Sequence, residues 1–301
     1  MTQYSMPDNN PVALKDSVKQ HWEDETCGTR IATGIVEGGA TENAGGDTGR
    51  AERLEFFESI SRNRYEVEPF IIEFAAFEKS AGKKVLEIGI GAGSDFENWV
   101  KNGADATGLD LTEAAIELTR ERLSLREHPE SAFTLRTADA ENLDLPDNTF
   151  DLVYSYGVIH HSPNTEKCLD EIYRVLKPGG QTKLMVYATF SMTGILLWIR
   201  HALLKGKPFQ SQRGVIYQHL ESPGTKTYSP TEFKSILENH GFKVTSIYKK
   251  LGVGDLLNMP LSKKYDHSLY RIFYNLYPRF FIKLFGNGLG LFLMCEARKP
   301  Q

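Results

Sequence analysis

Along residues 84–189, short apolar runs alternate with segments whose apolar positions recur every three or four residues. "KVLEIGI", "DATGLDL", "AFTLRTAD", "FDLVYSYGVI" and "QTKLMVYAT" read as strands. "SDFENWVKNG", "TEAAIELTRERLSLRE" and "NTEKCLDEIYRVLKPGG" read as helices between them. Gly103 stops the first helix, Thr112 is placed to cap the second, and Pro178 with the following glycines ends the third. Strand and helix in alternation imply βαβ units, and hence a parallel sheet with helices on both faces.

Upstream, Leu54, Phe57, Ile60, Phe70, Ile71, Phe74 and Phe77 fall at helical spacing and predict one or two amphipathic helices. Before Arg50 the chain reads as an arm, because Glu25 to Gly49 is rich in Gly, Thr and Ala and carries neither period. Downstream of Thr189 the alternation breaks into an insertion with the apolar segment "GILLWIRHALL" and a tail containing Gly, Ser and Pro. Order returns at "SPTEFKSILENHG": Ser229 caps, Pro230 takes the first helical position, Glu232 closes the capping box and Gly241 ends the helix. "FKVTSIYKK" and "LGLFLMCEARK" are a sixth and a seventh strand around the aromatic-rich "YRIFYNLYPRFFIKLFGNG". The expected organisation is an arm and helical cap over 1–79, a core over 80–189, an inserted lid over 190–228, and the rest of the core with an aromatic lid segment over 229–301.

Composition narrows the partners. A net charge of −4, with Lys-Lys pairs beginning at Lys83, Lys249 and Lys263 scattered along the chain, argues against nucleic acid. Cys27, Cys168 and Cys295 form no short C-x-x-C spacing, so a reduced, cytoplasmic setting is expected. The N-terminal residues lack a basic stretch followed by an apolar one, so no secretory signal is readable. No apolar run is long enough to span a bilayer, and "GILLWIRHALL" is broken by Arg200 and His201.

Chemistry concentrates at "VLEIGIGAGS". Gly89, Gly91 and Gly93 follow the first strand, where an open parallel sheet forms its ligand crevice, and let backbone N–H groups face a ligand directly. Asp110 ends the second strand and can accept both hydroxyls of a ribose. A dinucleotide fingerprint requires glycine where Ser94 stands, and Glu87, two residues before the loop, suits a cationic ligand better than a pyrophosphate.

These residues, with "GLDLT", "TADAENLDLPDNTFDLVYSYGVIHH" and "IYRVLKPGGQTKLMV" in order, resemble the class I S-adenosylmethionine-dependent methyltransferases, in their type 11, UbiE-like small-molecule branch. The likeness is close over about residues 80–190 and looser over the last two strands. It implies a Rossmann-like, doubly wound, seven-stranded sheet whose last strand is antiparallel, and S-adenosyl-L-methionine as cofactor, with S-adenosyl-L-homocysteine as product. By the same resemblance Glu87, Gly89 and Gly91, with Gly93 in the loop, hold the methionine moiety, while Asp110 and Leu111 meet the ribose. Asp139 and Ala140 face the adenine, and Ser155, Tyr156 and Gly157 lie beside the sulfonium. Arg64 or Tyr65, before the first strand, meets the cofactor carboxylate.

Several of these residues also have plain structural readings. Asp139 could cap the short helix begun by "AENLDL", and Trp22 reads as packing. Cys27, Gly28 and Thr29 lie in the arm, and Cys27 has no neighbouring cysteines for thiol chemistry. His240 ends a helix and reads as structural. His160, the candidate general base, begins a loop beside His161, and an unperturbed imidazole can accept a proton at neutral pH. No trio of carboxylates for a divalent ion is evident, so metal independence is expected. The aromatic stripe from Tyr270 to Phe285 fits a buried helix or a dimer face. Its mixture of apolar and cationic residues is also compatible with peripheral membrane contact, and with "FSMTGILLWIRHALL" it suits a lid over an apolar or aromatic small-molecule acceptor. The strand-four end "SYGV" lacks the Asn/Asp-Pro-Pro-aromatic tetrapeptide of enzymes acting on planar amides and adenine amino groups. An NAD(P)-dependent oxidoreductase, a macromolecule methyltransferase and a cofactor-binding module without transfer share much of this layout.

Overall fold

The computed structural model describes residues 11–24, 26, 29, 47–222, 224–258 and 274–301. Cys27, Gly28, most of the glycine-rich arm and the start of the aromatic stripe lie outside them.

The alternation seen in the sequence builds one sheet. Its strands are β1 (Lys84–Ile88), β2 (Asp105–Asp110), β3 (Phe133–Thr137), β4 (Phe150–Tyr156), β5 (Leu176–Ala188), β6 (Thr227–Tyr228), β7 (Lys243–Lys250) and β8 (Phe292–Arg298). They lie in the order β3-β2-β1-β4-β5-β8-β7, with β6 paired to β5 off this path. All pairs among β1 to β6 are parallel, and β8 runs antiparallel to both β5 and β7. The sheet therefore has eight strands instead of the expected seven. The additional one is a two-residue bridge, too short to leave a periodic signature.

Helices cover both faces. They are α1 (Pro11–Asp24), α2 (Asp47–Val67), α3 (Phe70–Ala75), α4 (Ser94–Lys101), α5 (Glu113–Leu125), α6 (Thr165–Val175), α7 (Met192–His201), α8 (Gln212–His219), α9 (Pro230–Asn239), α10 (Val253–Leu256) and α11 (Arg279–Leu284). Because side chains alternate across a strand, β1 sends Val85 to one buried cluster, with Phe96, Trp99 and Tyr154. Leu86 and Ile88 go to the other, with Ile172, Val186 and Phe233. A strand buried on both faces reads as a nearly continuous apolar run, and this one does.

Caps form where the sequence places them. Thr112 accepts the Ala115 N–H, and Ser229 with Glu232 makes the full capping box of α9. Two elements depart from expectation. Helix α1 lies inside the stretch read as an arm, and its Leu14, Val18 and Trp22, spaced by four, are the apolar face that marks it. The "LKPGG" segment belongs to β5, with the ladder shifting register between Phe150 opposite Leu176 and Leu152 opposite Gln181. Among the described residues no helix is long and apolar enough to cross a membrane.

Candidate cofactor and acceptor site

The order of strands reverses between β1 and β4, and the cleft lies beyond their carboxyl ends, as the topology requires. Gly89 turns the chain there at φ 81°, and a Cβ on it would stand 2.2 Å from Val158 Cγ2, so no other residue fits without displacement. Asp110 holds the loop: its Oδ2 accepts the Gly91 N–H at 3.1 Å, and its Oδ1 accepts the Thr112 N–H at 3.0 Å and the Thr112 hydroxyl at 2.8 Å. Burial raises the Asp110 carboxyl above its usual range, against the opposing pull of these donors.

The cleft opens into a cavity of about 440 Å³, within the range that takes a nucleoside-sized ligand with a partner. Of the residues singled out in the sequence, Arg64, Glu87, Gly89, Gly91, Asp110, Leu111, Asp139, Ala140, Tyr156 and Gly157 line it. Gly93, Tyr65, Ser155 and His160 do not: Gly93 caps α4 against Thr119, and Ser155 and His160 are fully buried behind the wall.

Beneath the loop sits a charged network that the sequence reading did not anticipate. Arg64 Nε and Nη2 donate to Asp95 Oδ1 and Oδ2 at 2.9 and 2.5 Å, and the Tyr65 and Tyr154 hydroxyls each donate to Asp95 at 2.9 Å. Burial alone would raise the Asp95 carboxyl, but Arg64 and the two tyrosines outweigh it and hold the group below its usual range. Glu87, also buried, accepts the Trp99 indole N–H at 2.8 Å. Burial, reinforced by the Asp95 charge, holds its carboxyl well above the ordinary value. Glu68 accepts the Tyr156 hydroxyl at 2.7 Å, and the Arg64 guanidinium lies 5.0 Å above the Tyr156 ring. Burial raises Glu68 in turn.

Helix α1 closes the other side. Lys15 donates to Asp139 at 2.6 Å and to Glu141 at 2.7 Å, so the carboxylate expected to face an adenine is already paired to a cavity-lining cation. The Trp22 ring meets His161 edge-on at 5.5 Å between centroids. His161, not His160, lies on the cavity wall. Its Nδ1 is 2.8 Å from Ser222 Oγ and 3.1 Å from Thr225 Oγ1. Thr225 directs its hydroxyl hydrogen to the carbonyls of Leu220 and Ser222, and the nearer Ser222 hydroxyl is placed to donate to Nδ1. The His161 Nε2 is buried 3.3 Å from Glu221 Oε2, where a carboxylate accepts from an N–H. Tyr187 donates to Glu221 at 2.7 Å. Glu221 also adopts a left-handed backbone, φ 54°, a conformation that costs on the order of 1 kcal/mol or more and concentrates at functional sites.

His160 is packed between the rings of His161 and Tyr187, at 4.2 and 4.3 Å, and among the described residues neither of its nitrogens has a hydrogen-bond partner. Burial, with the nearby His161 and Lys226, pushes its basicity well below that of a free imidazole. Where the sequence shows no metal-binding trio, the fold brings donor atoms of His160, His161 and Glu221 within 4.8 Å of one another, a set that could hold a metal ion.

The residues not foreseen share a cause. Asp95, Glu68, Lys15 and Glu221 are ordinary charged residues on helices or a loop, and only the fold brings them to the cleft. A partial signal existed for Asp95, an acid in the first turn of the helix after the glycines.

Residues 86–183 match a family described as "Methyltransferase domain". A demethylmenaquinone methyltransferase of Tropheryma whipplei is 27% identical over 178 residues, 58% of this chain and 72% of that protein. A phthiotriol/phenolphthiotriol dimycocerosates methyltransferase of Mycobacterium tuberculosis is 38% identical over 101 residues, 33% of this chain and 36% of its own. Among solved structures, an S-adenosylmethionine-dependent methyltransferase from Mesorhizobium loti superposes with a TM-score of 0.52 at 18% identity, covering 75% of this chain and 97% of that one. Haemonchus contortus phosphoethanolamine N-methyltransferase 2, in complex with S-adenosyl-L-methionine, gives 0.57 at 19%, over 95% of this chain and 60% of its own. Residues 86–183 of the chain thus carry an S-adenosylmethionine-dependent methyltransferase domain.

Proposed function

We propose that the chain methylates a hydroxyl on a small, largely apolar acceptor, with His161 as the proton acceptor and Glu221 stabilising the imidazolium that results. The observation that carries this reading is the pairing of His161 with Glu221, 3.3 Å apart and both on the cavity wall.

The near side of the cavity suits the cofactor. Glu87 and Asp110 are buried carboxylates whose charged forms are disfavoured, so a cation and hydroxyl donors stabilise them, whereas a pyrophosphate would repel them. Gly89 and Gly91 leave the backbone open for close approach, Asp110 and Leu111 would take the ribose, and Asp139 and Ala140 the base. When bound, S-adenosylmethionine supplies an electrophilic methyl group on a sulfonium. The protein's own contribution is to orient the acceptor hydroxyl, exclude water and take the hydroxyl proton on the His161–Glu221 pair as the new O–C bond forms. Tyr156, Glu68, Val67, Trp22 and Val253 line the cavity as well. The insertion over 190–228 and the aromatic segment act as the lid in this reading.

Relatives named for demethylmenaquinone and phthiotriol acceptors support a small acceptor with a large apolar body. The test is transfer from methyl-labelled cofactor into a fractionated extract, repeated with His161→Asn. A labelled methyl ether formed by the wild-type chain and lost in the variant, with cofactor affinity retained, supports the reading. Equal transfer by the variant, or a labelled amine or carbon centre as product, contradicts it.

A further inference from the structure

Apart from Val12 and Ile72, every exposed large apolar side chain among the described residues falls on two segments. One, around α7, presents Phe190, Leu203, Leu204 and a fully exposed Phe209. The other, around α11, presents Leu276, Phe280, Phe281 and Phe285. Scattered exposed apolar residues need no explanation, but bulky ones concentrated on two segments do.

The fold joins the two segments. Asp255 on α10 is fully buried, and its Oδ1 accepts the N–H and hydroxyl of Thr193, both at 2.9 Å, at the start of α7. Its Oδ2 accepts the N–H groups of Gly252 and Leu291 at 2.9 and 2.8 Å, and its backbone oxygen accepts the Tyr277 hydroxyl at 2.8 Å, just before α11. Lys249 adds a second tie by donating to the carbonyls of Phe190 and Gly288. Val253, two residues before Asp255, lines the cavity, so this junction adjoins the acceptor space.

Charge then selects the partner. Residues 190–220 contain Arg200, Lys205, Lys207 and Arg213 and no Asp or Glu, and residues 274–290 contain Arg279 and Lys283 and no Asp or Glu, in a chain of net charge −4. Arg213 is paired with Glu232, and Arg279 donates to backbone carbonyls, but Lys205, Lys207 and Lys283 stand exposed among the aromatic side chains. Bulky apolar groups interleaved with lysines match an anionic headgroup layer over acyl chains. A second copy docked by the same face would bring two cationic surfaces without Asp or Glu together.

We propose that these joined segments dock on an anionic lipid bilayer, with the exposed side chains of both entering the headgroup region and the lysines pairing with lipid phosphates. This goes beyond the transfer reaction, and it places the lid beside a reservoir of amphipathic acceptors.

The test is co-sedimentation of the full chain with vesicles of phosphatidylglycerol and phosphatidylcholine in equal parts, compared with phosphatidylcholine alone. Partition onto the mixed vesicles is expected, with a drop of more than about tenfold on neutral ones and in Lys205→Glu/Lys207→Glu. A comparable loss is expected in Phe280→Ser/Phe281→Ser/Phe285→Ser. These positions are exposed, so melting temperature and S-adenosylmethionine affinity should be unchanged, and both are measured on the same samples. No partition onto the mixed vesicles, or equal partition onto neutral ones, overturns the proposal. So does a concentration-dependent dimer that the phenylalanine variant abolishes without any vesicle binding. Retained cofactor affinity alongside absent vesicle binding sinks the docking surface alone and leaves the proposed function standing.

Discussion

Arg64 and Asp95 face each other through two parallel hydrogen bonds, Nε to Oδ1 and Nη2 to Oδ2, directly under the glycine loop. The pair joins α2 to α4 and sets the charge beneath the cofactor site. Removing one partner of such a buried pair strands the other, so Asp95→Ala should lower unfolding free energy by about 3–5 kcal/mol. Urea titration measures it, and a loss under about 1 kcal/mol would show that the pair is not held as described.

Acid should act through the same residue. The folded Asp95 carboxyl is held below its unfolded value, so its stabilising contribution is present above the ordinary carboxylate range and is lost as pH falls through the lowered folded value. The acid limb of a stability–pH profile should therefore flatten in Asp95→Asn, and an unaltered limb would assign acid sensitivity elsewhere.

Glu87 carries the opposite sign. Its folded value is raised, so its contribution favours the fold below its unfolded value and is lost as pH rises through the folded one. Glu87→Gln should raise the melting temperature at neutral pH while weakening S-adenosylmethionine binding, because it removes a buried charge that the sulfonium would otherwise neutralise. Calorimetry of both quantities checks this, and a gain in stability without a loss of affinity would take Glu87 out of the site.

The two histidines should separate cleanly. His161→Asn should lower turnover by about 10²–10⁴-fold with cofactor affinity intact. His160→Leu, which replaces a buried ring whose nitrogens have no partner among the described residues, should leave turnover within a few-fold. Should chelation abolish transfer and added zinc restore it, the His160, His161 and Glu221 set acts as a metal site and the base assignment falls.

How much of this was legible in the chain depends on which link carries it. The seven long strands, the glycine loop, the place of Asp110 at the end of β2 and the cap of α9 rest on local pattern, and the structure has them there, with β5 starting earlier than read. Choosing between adjacent histidines does not, because a ring's direction depends on which neighbours a loop some sixty residues on brings to it, here Ser222 and Thr225. Lys15 was hidden because α1 has a short apolar face whose period is evident only once that face is seen packed, with Val18 buried. Tyr65, the alternative to Arg64 for the cofactor carboxylate, donates its hydroxyl to Asp95, a contact that only the fold creates.

Asp110 offers an intermediate check. Asp110→Ala should cost cofactor affinity roughly 1.5–3 kcal/mol per lost hydrogen bond. Isothermal titration measures it, and unchanged affinity would remove the residue from the ribose site.

The most direct test is a crystal structure of the chain with S-adenosyl-L-homocysteine. The expected result is a ribose on Asp110, with the amino-acid end running past Gly89 and Gly91 toward Glu87 and the sulfur on the side of His161. Density for the ligand outside this cleft, or a ribose that leaves Asp110 bonded only to Gly91 and Thr112, would contradict it.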